Sequence, residues 1–231
     1  MYFISLFLFY LGNVNNSVGD IYLCKLFGKE LILLRVIFIL ILEVLFLKQG
    51  KFIVVSGPSG VGKGTICNIL MKEMRAEYSV SFTTREKRVG EIDGVNYNFI
   101  SKEEFERQIK DGKFLEYNIY NGNYYGTSKD FVMEKINKGI NIFSEIDVNG
   151  AKNIKKIFPD ALLIYIAPPS IDELRKRLIN RGTESIDKIE ERLKIAEEEL
   201  KQVSFYDYVI VNDNLDDATN EFRKIIDREN L

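Results

Sequence analysis

Residues Lys51-Phe52-Ile53-Val54-Val55-Ser56, Gly57-Pro58-Ser59-Gly60-Val61-Gly62-Lys63-Gly64-Thr65 and Ile66-Cys67-Asn68-Ile69-Leu70-Met71 constrain this chain more than any other stretch. The first segment is a short apolar run and reads as a buried parallel strand. The third reads as the opening of a helix. Between them, four glycines let the backbone curl until several N–H groups point at one anion. The helix that follows adds the positive end of its dipole. Lys63 brings a mobile charge suited to the outer phosphates of a nucleotide. Residues Gly57 to Thr65 are therefore candidates for binding a nucleoside triphosphate.

The usual form of such a loop has Ser or Thr directly after the lysine. This chain has Gly64 there, and the hydroxyl follows at Thr65. The Gly-Lys-Gly-Thr variant resembles the loops of nucleoside-monophosphate kinases.

At 231 residues the chain has room for one large α/β domain, or one domain and an appendage. A net charge of −2, with Lys and Arg mixed among Asp and Glu, gives no footprint for nucleic acid. The chain contains no histidine, which excludes His-based acid–base catalysis and His metal sites. Cys24 and Cys67 lie far apart and imply neither a disulfide framework nor a metal site. Cys67 is expected in the core beside the loop helix. Phosphoryl transfer suits this inventory, since it depends on positioning and cationic charge rather than on a titrating nucleophile.

Residues 1–47 differ in character from the rest. Leu31 to Leu47 reads LILLRVIFILILEVLFL, broken only by Arg35 and Glu43. A spanning helix needs ~20 apolar residues, and charge inside a bilayer is costly. The segment could be a membrane anchor or a signal-like stretch, or could lie upstream of the functional protein, whose start would then fall near Leu47-Lys48. The last reading is the expectation taken here. It places the protein in the cytoplasm, with membrane contact only if residues 1–47 are retained.

From Lys51 onward, apolar runs at Ile140–Phe143, Ala161–Ala167 and Tyr208–Val211 alternate with helical periodicity. The helical stretches are Lys102–Lys110, Ser128–Lys138, Val148–Ile157, Ile171–Asn180, Ile186–Gln202 and Leu215–Arg228. Ser101 with Glu104, and Ser170 with Glu173, have capping-box spacing. Strands separated by helices predict a central parallel sheet covered on both faces.

Residues 81–99, SFTTREKRVGEIDGVNYNF, hold a second constellation. Arg85 and Arg88 are three residues apart, and Tyr97 follows nine residues on. Two guanidinium forks and a phenol could converge on one phosphate. Taken alone, the same charges would suit a solvated hairpin.

The pattern Thr-Thr-Arg-x-x-Arg-x-x-Glu-x-x-Gly-x-x-Tyr-x-Phe resembles the guanylate kinase signature at every defined position. The resemblance runs over about residues 51–229. It takes in Phe114-Leu115-Glu116, Gly122-Asn123-Tyr124-Tyr125-Gly126-Thr127, Glu145-Ile146-Asp147-Val148-Asn149-Gly150 and Asn180-Arg181-Gly182-Thr183-Glu184. It implies a phosphate-loop kinase with a small, mostly β GMP-binding insertion near residues 80–125 and a helical lid near 175–195. The implied reaction is ATP + GMP to ADP + GDP, with dGMP as a further acceptor and Mg2+ accompanying ATP. Arg85, Arg88, Tyr97 and Tyr125 match binders of the GMP phosphate. Glu116 matches the carboxylate that accepts from guanine N1–H and the 2-amino group, and Ser81 and Thr127 match hydroxyls of the base pocket. Asp147 falls near the acceptor nucleoside. Arg177, Arg181 and Arg192 match arginines that reach the transferred phosphates, with Arg177 on the ATP side. Lys63, Arg85, Arg181 and Arg192 would carry the charge stabilisation. The family often has Asp-x-Asp where this chain has Glu145-Ile146-Asp147. Glu145 could therefore contact magnesium through water or support the loop, and Thr65 is a further candidate near the metal. Two rivals stand beside this reading. One is an inactive module of the same build that binds phosphorylated partners. The other is a related kinase acting on a ribose bisphosphate. Oligomeric state is not legible in the sequence.

Overall fold

The computed structural model describes residues 49–120, 122–182 and 185–231, together with Phe38. The expectations for residues 1–47 otherwise lie outside the described residues. Among the described residues no helix is long and apolar enough to cross a membrane.

The chain from Gln49 to Leu231 forms one compact unit. In chain order it comprises β1 (Phe52–Ser56), α1 (Lys63–Leu70), β2 (Ala76–Tyr78), β3 (Phe82–Thr83), β4 (Asn98–Phe99), α2 (Lys102–Lys110), β5 (Phe114–Tyr120) and β6 (Asn123–Ser128). There follow α3 (Lys129–Asn137), β7 (Asn141–Glu145), α4 (Val148–Ile157), β8 (Leu162–Ala167), α5 (Ile171–Arg181), α6 (Ile186–Leu200), β9 (Tyr208–Val211) and α7 (Leu215–Arg228). A short 3₁₀ turn, Val203–Phe205, precedes β9.

Five strands form an all-parallel sheet in the order β2-β7-β1-β8-β9. Its central strands are apolar along their length because both faces are covered. Phe52, Val54, Leu163 and Tyr165 point into one core cluster with Val132, Ile136, Ala151 and Ile154. Ile53, Val55, Ile164 and Ile166 point into the other with Ile66, Leu70, Phe222 and Ile226. In β9, at the sheet edge, only Ile210 is buried. Cys67 is fully buried in the second cluster, as expected.

Helix boundaries follow the sequence reading closely. Ser101 and Ser170 accept from the backbone N–H groups of Glu104 and Glu173. Ser128 is likewise a cap rather than the first helical residue. The largest difference is in the loop helix. It opens at Lys63, three residues before the apolar stretch that signalled it. Gly62 ends the loop in the left-handed region at φ 99°, so the helical backbone begins inside the glycine-rich motif.

A second sheet, in the order β4-β3-β6-β5, carries α2 between its strands. Its β5–β6 pair is antiparallel, and the register shifts between Phe114 and Glu116. Helices α5 and α6 share a core of their own, made of Leu174, Leu178, Ile189, Leu193 and Ala196. An ion pair between Arg175 and Glu190 joins the same two helices.

Candidate functional site

The chain leaves β1 in the middle of the parallel sheet, with β7 on one side and β8 on the other. Loops at the carboxyl ends of neighbouring strands meet there, which is where ligands bind in open α/β sheets. Residues 57–62 form the first of these loops. Gly57, Gly60 and Gly62 all have positive φ. The loop is tied to its neighbours at several points. Ser56 Oγ donates to the Ile146 carbonyl at 2.6 Å. Asn212, at the end of β9, donates from Nδ2 to the Val61 carbonyl at 2.7 Å. Lys63 Nζ curls back to the carbonyls of Gly57 and Pro58 at 2.6 and 3.0 Å. The Lys63 ammonium therefore lies against the backbone of the loop's first two residues. Thr65 is exposed on the first turn of α1.

Two lid-region arginines reach this loop or its neighbours. Arg177 Nη1 and Nη2 donate to the carbonyls of Asn212 and Asp213 at 2.8 and 3.1 Å. The same side chain keeps its helical partner Glu173 at 3.4 Å. Arg192 Nη1 donates to Ser59 Oγ at 3.1 Å. Arg181 is exposed at the end of α5. Residues 183–184, which follow it, lie outside the described residues.

The second sheet builds the other half of the site. Glu116 lies directly opposite Thr127, and Asn118 opposite Tyr125. Two-residue alternation puts all four on one face. Thr127 Oγ1 donates to Glu116 Oε1 at 2.8 Å. Glu116 is 6 % exposed. Burial raises its pKa from 4.5 to about 7; the Thr127 hydrogen bond opposes the rise and the negative charge of Asp147 adds to it. Gly150 makes this burial feasible, since a Cβ there would lie 2.9 Å from Glu116 Oε2. Asp147 caps α4 by accepting from the N–H groups of Asn149 and Gly150. Asn118 Nδ2 donates to both Asp147 oxygens at 3.1 Å. Asp147 thus caps α4 and accepts from β5 at once.

Beside this face, Arg85 Nη2 pairs with Glu91 Oε1 at 2.8 Å. That hydrogen bond holds the Glu91 carboxyl below its usual range. The Arg85 guanidinium lies 5.4 Å from the Tyr97 ring centre and engages the Tyr125 hydroxyl. Tyr97 and Tyr125 meet edge to face at 5.8 Å. The structure therefore gathers Arg85, Tyr97 and Tyr125. Arg88 is exposed and is linked to the cluster through its backbone N–H, which donates to Glu91 Oε2 at 2.8 Å. Ser81 is half-buried immediately before β3.

Three residues of this arrangement carried no assigned role in the sequence. Glu91 stood within the arginine motif and aims Arg85. Asn118 has the two-residue spacing from Glu116 that marks a shared strand face. Asn212 follows the last strand at the carboxyl edge of the sheet, where topology alone could have flagged it. Glu145 ends β7, and its charge, after burial, raises the pKa of the Tyr78 hydroxyl. Its Oε1 lies 3.0 Å from where a Cβ on Gly64 would stand.

A cationic loop at a strand–helix junction, facing a sheet with a buried carboxylate and an arginine–tyrosine cluster, defines a phosphate-loop nucleotide kinase. The guanylate kinase family model matches residues 49–229. The crystal structure of guanylate kinase from Anaplasma phagocytophilum is 32% identical, with a TM-score of 0.66, covering 79% of this chain and 87% of that one. The structure of shikimate kinase from Bacteroides thetaiotaomicron is a more distant likeness, 10% identical with a TM-score of 0.42, covering 77% of this chain and 98% of that one. The chain belongs to the guanylate kinase family, and is an enzyme of that type, a nucleotide-binding transferase.

Proposed function

We propose that this kinase transfers the γ-phosphoryl group of ATP to GMP, and to dGMP, with residues 48–231 as the working unit. The observation that carries the reading is Glu116, buried opposite Thr127 and within one sheet face of the Arg85–Tyr97–Tyr125 cluster. Guanine offers two donors, N1–H and the 2-amino group, to a carboxylate so placed. Adenine offers neither at those positions and would leave a buried acceptor unpaired.

In this reading the GMP phosphate takes the guanidinium of Arg85 and the hydroxyls of Tyr97 and Tyr125, with Arg88 swinging in from solvent. Glu116 and Thr127 receive the base, with Ser81 beside them. Asp147, oriented by Asn118, lies toward the nucleoside. Residues Gly57 to Thr65 hold the ATP phosphates, and Arg177 faces the ATP side. An oxygen of the GMP phosphate attacks the γ-phosphorus in line, and ADP leaves. That nucleophile is already ionised at neutral pH, so no strong base is needed. Lys63, Arg85 and Arg192, joined by Arg181 on lid closure, stabilise the charge spread over the transferring oxygens. Orientation of two gripped substrates supplies much of the remainder.

Guanylate kinases use ATP with Mg2+. Among the described residues no three His, Cys, Asp or Glu side chains cluster as metal ligands. The ion would therefore rest mainly on nucleotide phosphates and water, with Glu145 and Thr65 as the protein oxygens at hand. Such oxygen donors fit a hard cation, and the Glu145 carboxylate beside the start of α1 is suitably placed. When bound, the ion would neutralise charge on the β- and γ-phosphates.

Calorimetric titration with GMP, IMP and AMP tests the acceptor assignment. GMP should bind most tightly, IMP more weakly for want of its 2-amino group, and AMP weakest. Equal affinity for GMP and AMP would overturn the reading.

A further inference from the structure

The loop departs from the common pattern at Gly64, and the strand end departs from the family pattern at Glu145. The two departures meet in space. An added Cβ on Gly64 would stand 3.0 Å from Glu145 Oε1, tighter than an ordinary van der Waals contact. Gly64 is the second residue of α1, so this carboxylate faces the amide-rich start of the helix. Glu145 ends β7, paired in register with Val55 of β1. Burial and the nearby Glu145 charge together raise the pKa of Tyr78, on the neighbouring strand β2. Cys67, one turn further along α1, lies within the electrostatic reach of Glu145.

We propose that Gly64 and Glu145 form a reciprocal pair, in which the Glu145 carboxylate fills the space of a hydroxymethyl group at position 64 and replaces its hydroxyl as the oxygen facing the nucleotide's divalent cation. The inference rests on the reading that this loop binds Mg·ATP. The pair works because one change makes room for the other. Glycine removes the hydroxyl and opens the volume. The extra methylene of Glu145, relative to Asp, carries a carboxylate into it. Glu145 is thus a positioning residue whose length is matched to the residue at 64. Serine at 64 would push the carboxylate off its place. Aspartate at 145 would withdraw it and leave neither oxygen near the cation. Both changes together exchange one arrangement for the other.

The test uses the full chain in five forms: unmodified, Gly64→Ser, Glu145→Asp, the double variant, and Glu145→Gln. Binding of a fluorescent ADP is titrated with and without Mg2+, and thermal unfolding is followed for each form without nucleotide. Each single variant should lose at least fivefold of the Mg2+-dependent gain in affinity. The double variant should regain it to within about twofold of the unmodified chain, a non-additivity that separate sites do not give. Glu145→Gln should lose the Mg2+-dependent gain while keeping its metal-free affinity. Should Gly64→Ser fail to fold alone, rescue of its unfolding temperature by Glu145→Asp reports the same pairing. Losses that multiply in the double variant, single variants with undiminished Mg2+ dependence, or a double variant no more stable than an unfolded single one would overturn the proposal. If the unmodified chain binds no ADP at any Mg2+ concentration, the nucleotide reading itself fails and takes the pair with it.

Discussion

In the proposed guanine-binding role, Glu116 would serve recognition at the expense of stability. Its folded pKa of about 7 lies above the ordinary 4.5 because burial disfavours the charge. The folded state therefore holds this proton more firmly than the unfolded chain does. The resulting stability is fully present below pH 4.5 and is lost as pH rises through 7. Glu116→Gln removes that loss. Without ligand, the Gln variant should unfold at a higher temperature than the unmodified protein at pH 8, by up to ~3 kcal/mol in stability. The two should converge below pH 4.5. The same variant should bind GMP more weakly by ~1–3 kcal/mol. Differential scanning fluorimetry across pH and calorimetry at pH 8 read the two effects separately. Glu91 pairs with Arg85 and, in the proposed site, would aim that guanidinium rather than touch the ligand. Glu91→Gln should raise the GMP KM several-fold and change kcat less, which steady-state kinetics in varied GMP would show.

At the scale of elements, the loop after β1 depends on backbone shapes that only glycine adopts cheaply. Gly57 has φ 143°, and a Cβ there would collide with the Ile166 carbonyl, a backbone group that cannot swing aside. Gly57→Ala should cost ~2 kcal/mol or more and lower the unfolding temperature even without nucleotide. The elements themselves were largely legible in the sequence. Apolar runs marked the sheet because both its faces are covered, and serine caps marked the helix starts because an orphan N–H needs an acceptor. The start of α1 was displaced because its first turn is glycine and lysine rather than apolar residues. The candidate site was legible wherever a motif was local, as with residues 57–65 and Arg85 to Tyr97. Asn118 and Asn212 were not, since their roles arise from strand register and from which strand ends meet. Nor could the sequence distinguish Arg192, in contact with Ser59, from Arg181, which is exposed.

For the whole molecule, the proposed mechanism needs two halves that close on each other. One is the loop at the centre of the parallel sheet, and the other is the β face around Glu116 and Arg85. Helices α5 and α6, with a core of their own, would carry Arg177, Arg181 and Arg192 over the phosphates. A protein comprising residues 48–231 should unfold in one cooperative transition and match the full chain in turnover, as calorimetry and kinetics on both would show. The central claim is guanine-selective phosphoryl transfer. Its most direct test is a coupled ADP-release assay on the full chain, with ATP, Mg2+ and an acceptor panel of GMP, dGMP, AMP, CMP, UMP, dTMP and a ribose bisphosphate. Turnover confined to GMP and dGMP is the expected result. Turnover with another acceptor, or none with any acceptor while ATP still binds, would contradict it.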